Sequence, residues 1–173
     1  EETDTLDPTG TVQRTGEQPS RDALRVACSE WIGSFEQTPP AYSAVHVNGK
    51  RAYELARAGV AVAPRPRNVT ITGLSLLDYH DGTAVVELEC SSGTYVRALA
   101  RDLGRQVGSA AHVRELRRTR VGPFDVEEAT RADAYDGSLL PLVEALARLD
   151  AVTAVDVPEE LVERIRHGGA VDR

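Results

Sequence analysis

Apolar and polar positions alternate most cleanly just before Cys90, where Val86, Leu88 and Cys90 take turns with Glu87 and Glu89, the period of a half-buried strand. Downstream the period becomes helical. Val96, Leu99, Leu103 and Val107 form one stripe, and Arg97, Arg101 and Arg105, four residues apart, form another. The intervening Ser91-Ser92-Gly93-Thr94-Tyr95 therefore reads as a strand-to-helix junction that presents an aromatic and a cation. An earlier strand runs from Val69 to Leu77, with a change of parity at Gly73 that predicts a bulge. His80-Asp81-Gly82 supplies the turn that joins the two strands as a hairpin.

Upstream, Ser20 caps a helix whose Leu24, Ala27, Cys28, Trp31 and Ile32 share a face and which Gly33 stops. Gln37-Thr38-Pro39-Pro40-Ala41-Tyr42-Ser43-Ala44 reads as extended, because each proline biases the residue before it away from the helical region. A short helix from Lys50 to Ala58 ends at Gly59, with Ala52, Leu55 and Ala56 as a thin apolar side. Ala110 to Phe124 reads as a loop leading into another strand. Two helices close the chain, one carrying Leu139, Leu142, Val143, Leu146 and Leu149, the other opened by Pro158 and stopped by Gly168. Glu1 to Ser20, polar and without apolar period, is expected to be loop or a poorly anchored edge.

The 173 residues suffice for one good-sized domain, or one domain and the beginning of a second. Without an 18-residue apolar run or a leader-like start, the chain is expected to be soluble and cytoplasmic. Cys28 and Cys90 make no CxxC pair and are expected to be buried thiols. His46, His80, His112 and His167 have no ligand spacing, so no metal is expected. The formal net charge of -7 argues against a polyanionic partner until its distribution is considered. Residues 1–36 carry eight acids against three arginines, and residues 125–173 twelve against five, but residues 37–124 carry seven acids against twelve basic residues. From Arg97 to Arg120 seven arginines face only Asp102 and Glu115. Arginine outnumbers lysine 19 to 1 overall, so a solvated helix face laced with salt bridges accounts for the run equally well on charge alone.

Three blocks carry more specific information. They are Gln37 to Ala44 with Asn48-Gly49-Lys50-Arg51-Ala52-Tyr53-Glu54-Leu55-Ala56-Arg57 and Gly59; Cys90 through Gly104; and Ala111-His112-Val113-Arg114-Glu115-Leu116-Arg117-Arg118. In this order and spacing they resemble the TruB family of tRNA pseudouridine synthases, from about Glu2 to Gly168. The resemblance implies an α+β fold, a central and largely antiparallel sheet flanked by helices, and conversion of a uridine in the T-arm loop of tRNA to pseudouridine without a cofactor. It makes Tyr95 the aromatic against the target base, Arg97 the cation that pairs with the catalytic aspartate, and Leu116 an apolar wall of the uracil pocket. Residues 42–67 look like the family's thumb, which makes Tyr42, Lys50, Arg51 and Tyr53 candidate RNA contacts. Residues 1–154 would be a partial catalytic domain, and residues 155–173 the start of a C-terminal RNA-binding domain.

One departure matters. The family's nucleophile lies in a Gly-Thr-Leu-Asp-Pro motif followed by an apolar strand, and Thr5-Leu6-Asp7-Pro8 is followed by polar residues and stands only 35 residues before Tyr42. The better register places Glu2 to Gly10 on the acidic, threonine-containing loop after the catalytic strand pair, so the nucleophile is expected upstream of this chain, with Asp7 as the other candidate. The unpaired sheet edges this leaves are expected to promote self-association. A non-catalytic RNA-binding module, using the arginine stripe and thumb alone, is the rival reading. The dyskerin-like, guide-dependent branch is a second rival, against which the well-formed thumb speaks.

Overall fold

The computed structural model describes residues 1–47, 49–62, 64–153 and 155–169. It divides into two compact units, Glu1–Leu116 and Arg117–Arg173. Asn48 of the second motif block and Ala154 at the expected domain boundary lie outside the described residues.

The first unit holds the elements β1 (Glu2–Thr3), β2 (Val12–Arg14), α1 (Arg21–Glu30), β3 (Gly33–Gln37), β4 (His46–Val47), β5 (Lys50–Arg51), α2 (Ala52–Arg57), β6 (Arg67–His80), β7 (Thr83–Cys90) and α3 (Val96–Gln106). Its main sheet is antiparallel in the order β3-β6-β7. The predicted bulge lies between Ile71 and Gly73. By shifting the parity of the strand it lets Val69 and Ile71 before it, and Leu74 and Leu76 after it, point to the same side. There Ile71 and Leu74 pack with Ala27 and Cys28 of α1 and Leu99 and Leu103 of α3. Each large apolar side chain so buried contributes roughly 1.5–3 kcal/mol. Trp31 and Phe35 extend this core through an edge-to-face contact with centroids 4.7 Å apart.

The local signals behave as their chemistry requires. Ser20 Oγ accepts from the Ala23 N–H at 3.1 Å at the start of α1. The β6–β7 hairpin turns on Asp81 and Gly82, with φ of 46° and 74°. Gly104, inside α3, allows the following loop to lie against the helix, since a Cβ there would sit 2.7 Å from the Ala111 nitrogen. Other expectations are corrected. Ile32 is exposed, because α1 ends at Glu30 and Gly33 redirects the chain into β3. Cys90 is exposed, whereas Cys28 is buried and its thiol is pushed up by desolvation. Lys50 and Arg51 form the second strand of a small hairpin, with His46 opposite Arg51, and the helix begins only at Ala52. The amino-terminal segment is anchored: Glu2, Thr3 and Leu6 are all buried, β1 pairs with β2, and Arg105 holds Glu2 at 2.6 Å.

The second unit holds β8 (Arg120–Val121), β9 (Phe124–Asp125), two single-turn 3₁₀ helices, α4 (Leu142–Ala147) and α5 (Glu159–Arg166). Arg148 lies 5.9 Å from the Phe124 ring centroid and pairs with Glu128 and Glu144. Among the described residues no helix is long and apolar enough to cross a membrane.

Candidate active site

The site is built on Arg97, in the first turn of α3. Its Nη1 donates to the Thr5 carbonyl at 3.0 Å and to Asp7 Oδ2 at 2.9 Å, and its Nη2 donates to the Tyr42 carbonyl at 3.0 Å. Three of the five N–H groups are thereby spent. Nε–H and the second Nη2 hydrogen have no partner among the described residues. One guanidinium thus ties together the helix, the 4–10 loop and the proline-rich segment.

The 4–10 loop owes its shape to short polar side chains. Thr3 Oγ1 donates to the Asp7 carbonyl at 2.7 Å, and the Thr11 N–H donates to Asp4 Oδ1 at 2.8 Å. Leu6, buried, adopts φ of 60°, a left-handed conformation that costs a residue with a Cβ about 1–2 kcal/mol. The kink turns the Thr5 carbonyl and the Asp7 carboxylate toward the same guanidinium nitrogen.

Asp7 is saturated with donors. Its Oδ1 accepts from Thr9 Oγ1 at 2.6 Å, Thr5 Oγ1 at 2.7 Å and the Thr9 N–H at 3.1 Å, while Oδ2 takes the Arg97 bond. The Thr9 hydroxyl above all, then Thr5, the Thr9 amide and the Arg97 charge, hold its pKa down to about 2 against the opposing effect of burial. Such a carboxylate is a strong anchor and a weak nucleophile.

Above this pair opens a cavity of about 430 Å³ lined by Thr5, Asp7, Thr9, Tyr42, Ser43, Ala44, Tyr53, Arg57, Tyr95 and Arg97. Arg67 covers the Tyr95 ring with its guanidinium carbon 5.4 Å from the centroid, and Arg57 sits 5.6 Å from the Tyr53 centroid. The Ser43 hydroxyl is buried without a hydrogen-bond partner among the described residues. No group of three or more His, Cys, Asp or Glu among those residues is placed to hold a metal ion. What the cavity offers is an aromatic surface, a fixed cation with donors to spare, and room for a nucleobase.

Four of the sequence-predicted residues, Tyr42, Tyr53, Tyr95 and Arg97, line this cavity. Leu116 is 62% exposed and does not line it. Lys50 and Arg51 stand on the exposed β4–β5 hairpin, where Arg51 donates to the Ala44 carbonyl at 3.1 Å. Sequence reasoning missed Arg57, although it lies four residues after Tyr53 and so on the same face of α2. It expected Arg97 to pair with an aspartate upstream and held Asp7 only as the other candidate, whereas Arg97 pairs with Asp7 at 2.9 Å. The available signal was local: Thr5 and Thr9 flank Asp7 at two residues each way, the spacing of hydroxyls that hydrogen-bond an Asx turn.

The remaining stripe arginines are engaged within the molecule. Arg101 pairs with Asp102 at 2.7 Å and donates to the Thr38 carbonyl at 3.1 Å, and Arg105 grips Glu2 through both Nε and Nη2. The Glu2 hydrogen bond, more than its charge, raises the Arg105 pKa.

The comparisons with known proteins show the family. Residues 1–96 match the N-terminal domain of the TruB family pseudouridylate synthases, and residues 97–147 the tRNA pseudouridylate synthase B C-terminal domain. A protein of Syntrophobacter fumaroxidans named tRNA pseudouridine synthase B is 45% identical over 96% of this chain and 58% of its own length. One of the same name from Rhodopseudomonas palustris is 43% identical over 99% of this chain and 50% of its own. The chain spans about half the length of the curated relatives it matches. Among solved structures, a chain of a Cbf5-Nop10-Gar1 complex superposes with a TM-score of 0.51 at 26% identity, covering 66% of this chain and 30% of that one. With an α+β fold, the three motif blocks and both domain matches in one chain, this protein belongs to the TruB family of pseudouridylate synthases.

Proposed function

We propose that the protein to which this chain belongs isomerises uridine to pseudouridine in the T-arm loop of tRNA in the cytoplasm. The observation that carries this reading is the Arg97 guanidinium, held by three hydrogen bonds, lining the same cavity as Tyr95 and keeping two N–H groups without a partner among the described residues. The reaction exchanges the bond from ribose C1′ to uracil N1 for one to C5, so the base must be detached, turned and rejoined, and the C5 proton must leave. None of this is possible within a stacked loop, so the nucleotide has to be flipped out. Tyr95 would stack on the flipped uracil, worth roughly 1–3 kcal/mol. Arg97 would keep a catalytic carboxylate ionised in a pocket whose desolvation favours the neutral acid.

That carboxylate is assigned to a segment upstream of this chain and not to Asp7, whose oxygens are already taken by four donors and whose basicity is correspondingly low. Tyr42 and Tyr53 would contact the RNA at the cavity, and Lys50 and Arg51 from the thumb hairpin. Leu116 would have to reach the uracil once RNA is bound. Residues 1–154 act as part of the catalytic domain and residues 155–173 as the start of an RNA-binding domain. The β3-β6-β7 sheet ends at β3 and β7 among the described residues, which supports self-association of this chain through those edges.

The non-catalytic module is disfavoured by a specific observation. Its binding surface would be the arginine stripe, and the charges of Arg97, Arg101 and Arg105 are each paired with a carboxylate within the protein. The guide-dependent branch is disfavoured by the higher identity to the proteins named tRNA pseudouridine synthase B than to the Cbf5 chain.

The test is tritium release from a T-arm RNA labelled at uracil C5, comparing this chain with the product of its complete gene. Release by the complete product alone is expected. Release by this chain would make Asp7 the nucleophile, and silence from both would refute the reading.

A further inference from the structure

Gln37 is the last residue of β3 and is 1% exposed. Its side-chain amide is hydrogen-bonded to backbone. Its Nε2 donates to the Tyr95 carbonyl at 3.2 Å, and its Oε1 accepts from the Tyr95 N–H at 2.8 Å. Two bonds to the N–H and C=O of one residue are what a neighbouring strand makes in a hydrogen-bonded pair, and here one amide makes them across 58 positions of sequence. Tyr95 is the N-cap of α3, with φ of -96° and ψ of 104° and no side-chain cap; its carbonyl also accepts from the Leu99 N–H at 3.0 Å, as the first bond of the helix, while its N–H, which no helix bond can use, is taken by the Gln37 amide.

The residue opposite Gln37 in the β3–β6 ladder is Arg67, whose guanidinium covers the Tyr95 ring. One rung of the sheet therefore grips Tyr95 twice, Gln37 by the backbone and Arg67 by the ring. We propose that the Gln37–Arg67 rung is a positioning clamp, which sets the Tyr95 ring and, two residues further on, the start of the Arg97 side chain against the base to be isomerised. The proposal rests on the reading of function given above and deepens it.

The chemistry of position 37 is narrow. A planar group must offer one donor and one acceptor side by side, which the neutral amide does. An ionised glutamate would still accept from the Tyr95 N–H but would turn a lone pair toward the Tyr95 carbonyl. A protonated glutamic acid would restore both bonds. Leucine would leave the half-buried Tyr95 N–H without its partner, and the Tyr95 carbonyl with the Leu99 N–H alone.

The experiment uses the product of the complete gene and the T-arm RNA tritiated at uracil C5, with kcat and KM measured at about pH 9 and about pH 6, a range that burial of a new carboxyl at position 37 would bring into play. Gln37→Glu is expected to lose on the order of 10²-fold in kcat at the higher pH, as misplacement of a reacting group by an ångström does, with KM little changed, and to recover relative to wild type at the lower pH. Gln37→Leu is expected to be impaired equally at both. Arg67→Gln, which leaves the sheet register alone, is expected to lower kcat without any pH recovery.

A Gln37→Glu protein that follows wild type at both values would overturn the clamp. So would equal losses in Gln37→Glu and Gln37→Leu at both values together with lowered melting temperatures, since that pattern belongs to a fold-stabilising residue. Amide hydrogen exchange at Tyr95 in the same proteins separates this from the functional reading. If the wild type releases no tritium, the function fails, and the clamp still stands or falls on whether Gln37→Leu speeds exchange at that amide by at least about tenfold.

Discussion

Two helices of similar pattern have opposite fates in this molecule. α3 carries an apolar stripe whose Leu99 and Leu103 are buried against α1 and β6, and an arginine stripe whose every member has a carboxylate partner. α4 carries Leu142 and Val143, which are 72% and 80% exposed, and no described residue from 117 to 169 is buried. The lesson is that amphipathic spacing announces a helix, whereas its energetic weight depends on the surface it meets. In the first unit that surface is the bulged β6, and the site stands on the same helix.

The sharpest way to break the comparison is at its functional end. Arg97→Ala in the complete gene product is expected to lower kcat on the order of 10²–10³-fold while leaving RNA affinity nearly intact, as judged by tritium release beside filter binding. An affinity loss with unchanged turnover would return the stripe to a simple binding role. Next comes packing. Leu99→Ala should cost about 2–5 kcal/mol in urea denaturation, and Leu142→Ala no more than about 0.5 kcal/mol. Equal costs would show that the second unit has a core of its own.

A smaller effect tests the anchor beneath Arg97. The folded pKa of Asp7, about 2, lies below its ordinary value of 3.8, so the unfolded chain binds more protons between them. Its contribution, about 1–2 kcal/mol once solvent screening is allowed for, should be complete above about pH 5 and vanish as the pH falls toward 2. Urea midpoints of wild type and Asp7→Asn should therefore differ at neutral pH and converge in acid. A gap that widened on acidification would mean Asp7 is protonated in the fold. Smallest of all, Arg51→Ala on the exposed β4–β5 hairpin should reduce the slope of log affinity against log salt by about one, the signature of a single phosphate contact. An unchanged slope would mean that this arginine does not touch RNA.

Much of this was legible beforehand, because it is written in local chemistry. Ser20 as a cap, Asp81-Gly82 as a hairpin turn, the parity change at Gly73 and the two stripes of α3 each express backbone preferences or side-chain periods within a few residues. The junction that carries Tyr95 and Arg97 was legible for the same reason, whereas singling the two out as site residues rested on the family resemblance; both line the cavity. The failures share a different cause. A polar opening segment looked unanchored because its partners, Arg105 for Glu2 and Arg97 for Asp7, stand 103 and 90 positions away. Likewise Cys90 alternates like a core residue yet is exposed on β7, an edge strand of the sheet among the described residues.

The sequence by itself determined that the helices, the hairpin and the bulge form, though not where each helix begins and ends, and which family's motifs the chain carries. Only the tertiary structure decided which polar groups meet. It spent the arginine stripe on internal carboxylates, turned Asp7 into a saturated anchor, and aimed the Gln37 amide at the backbone of Tyr95. The reason is physical. Periodicity and turn chemistry are properties of neighbouring residues, whereas a buried hydrogen bond needs a complementary partner at about 3 Å, and which partner arrives there is set by how distant elements pack.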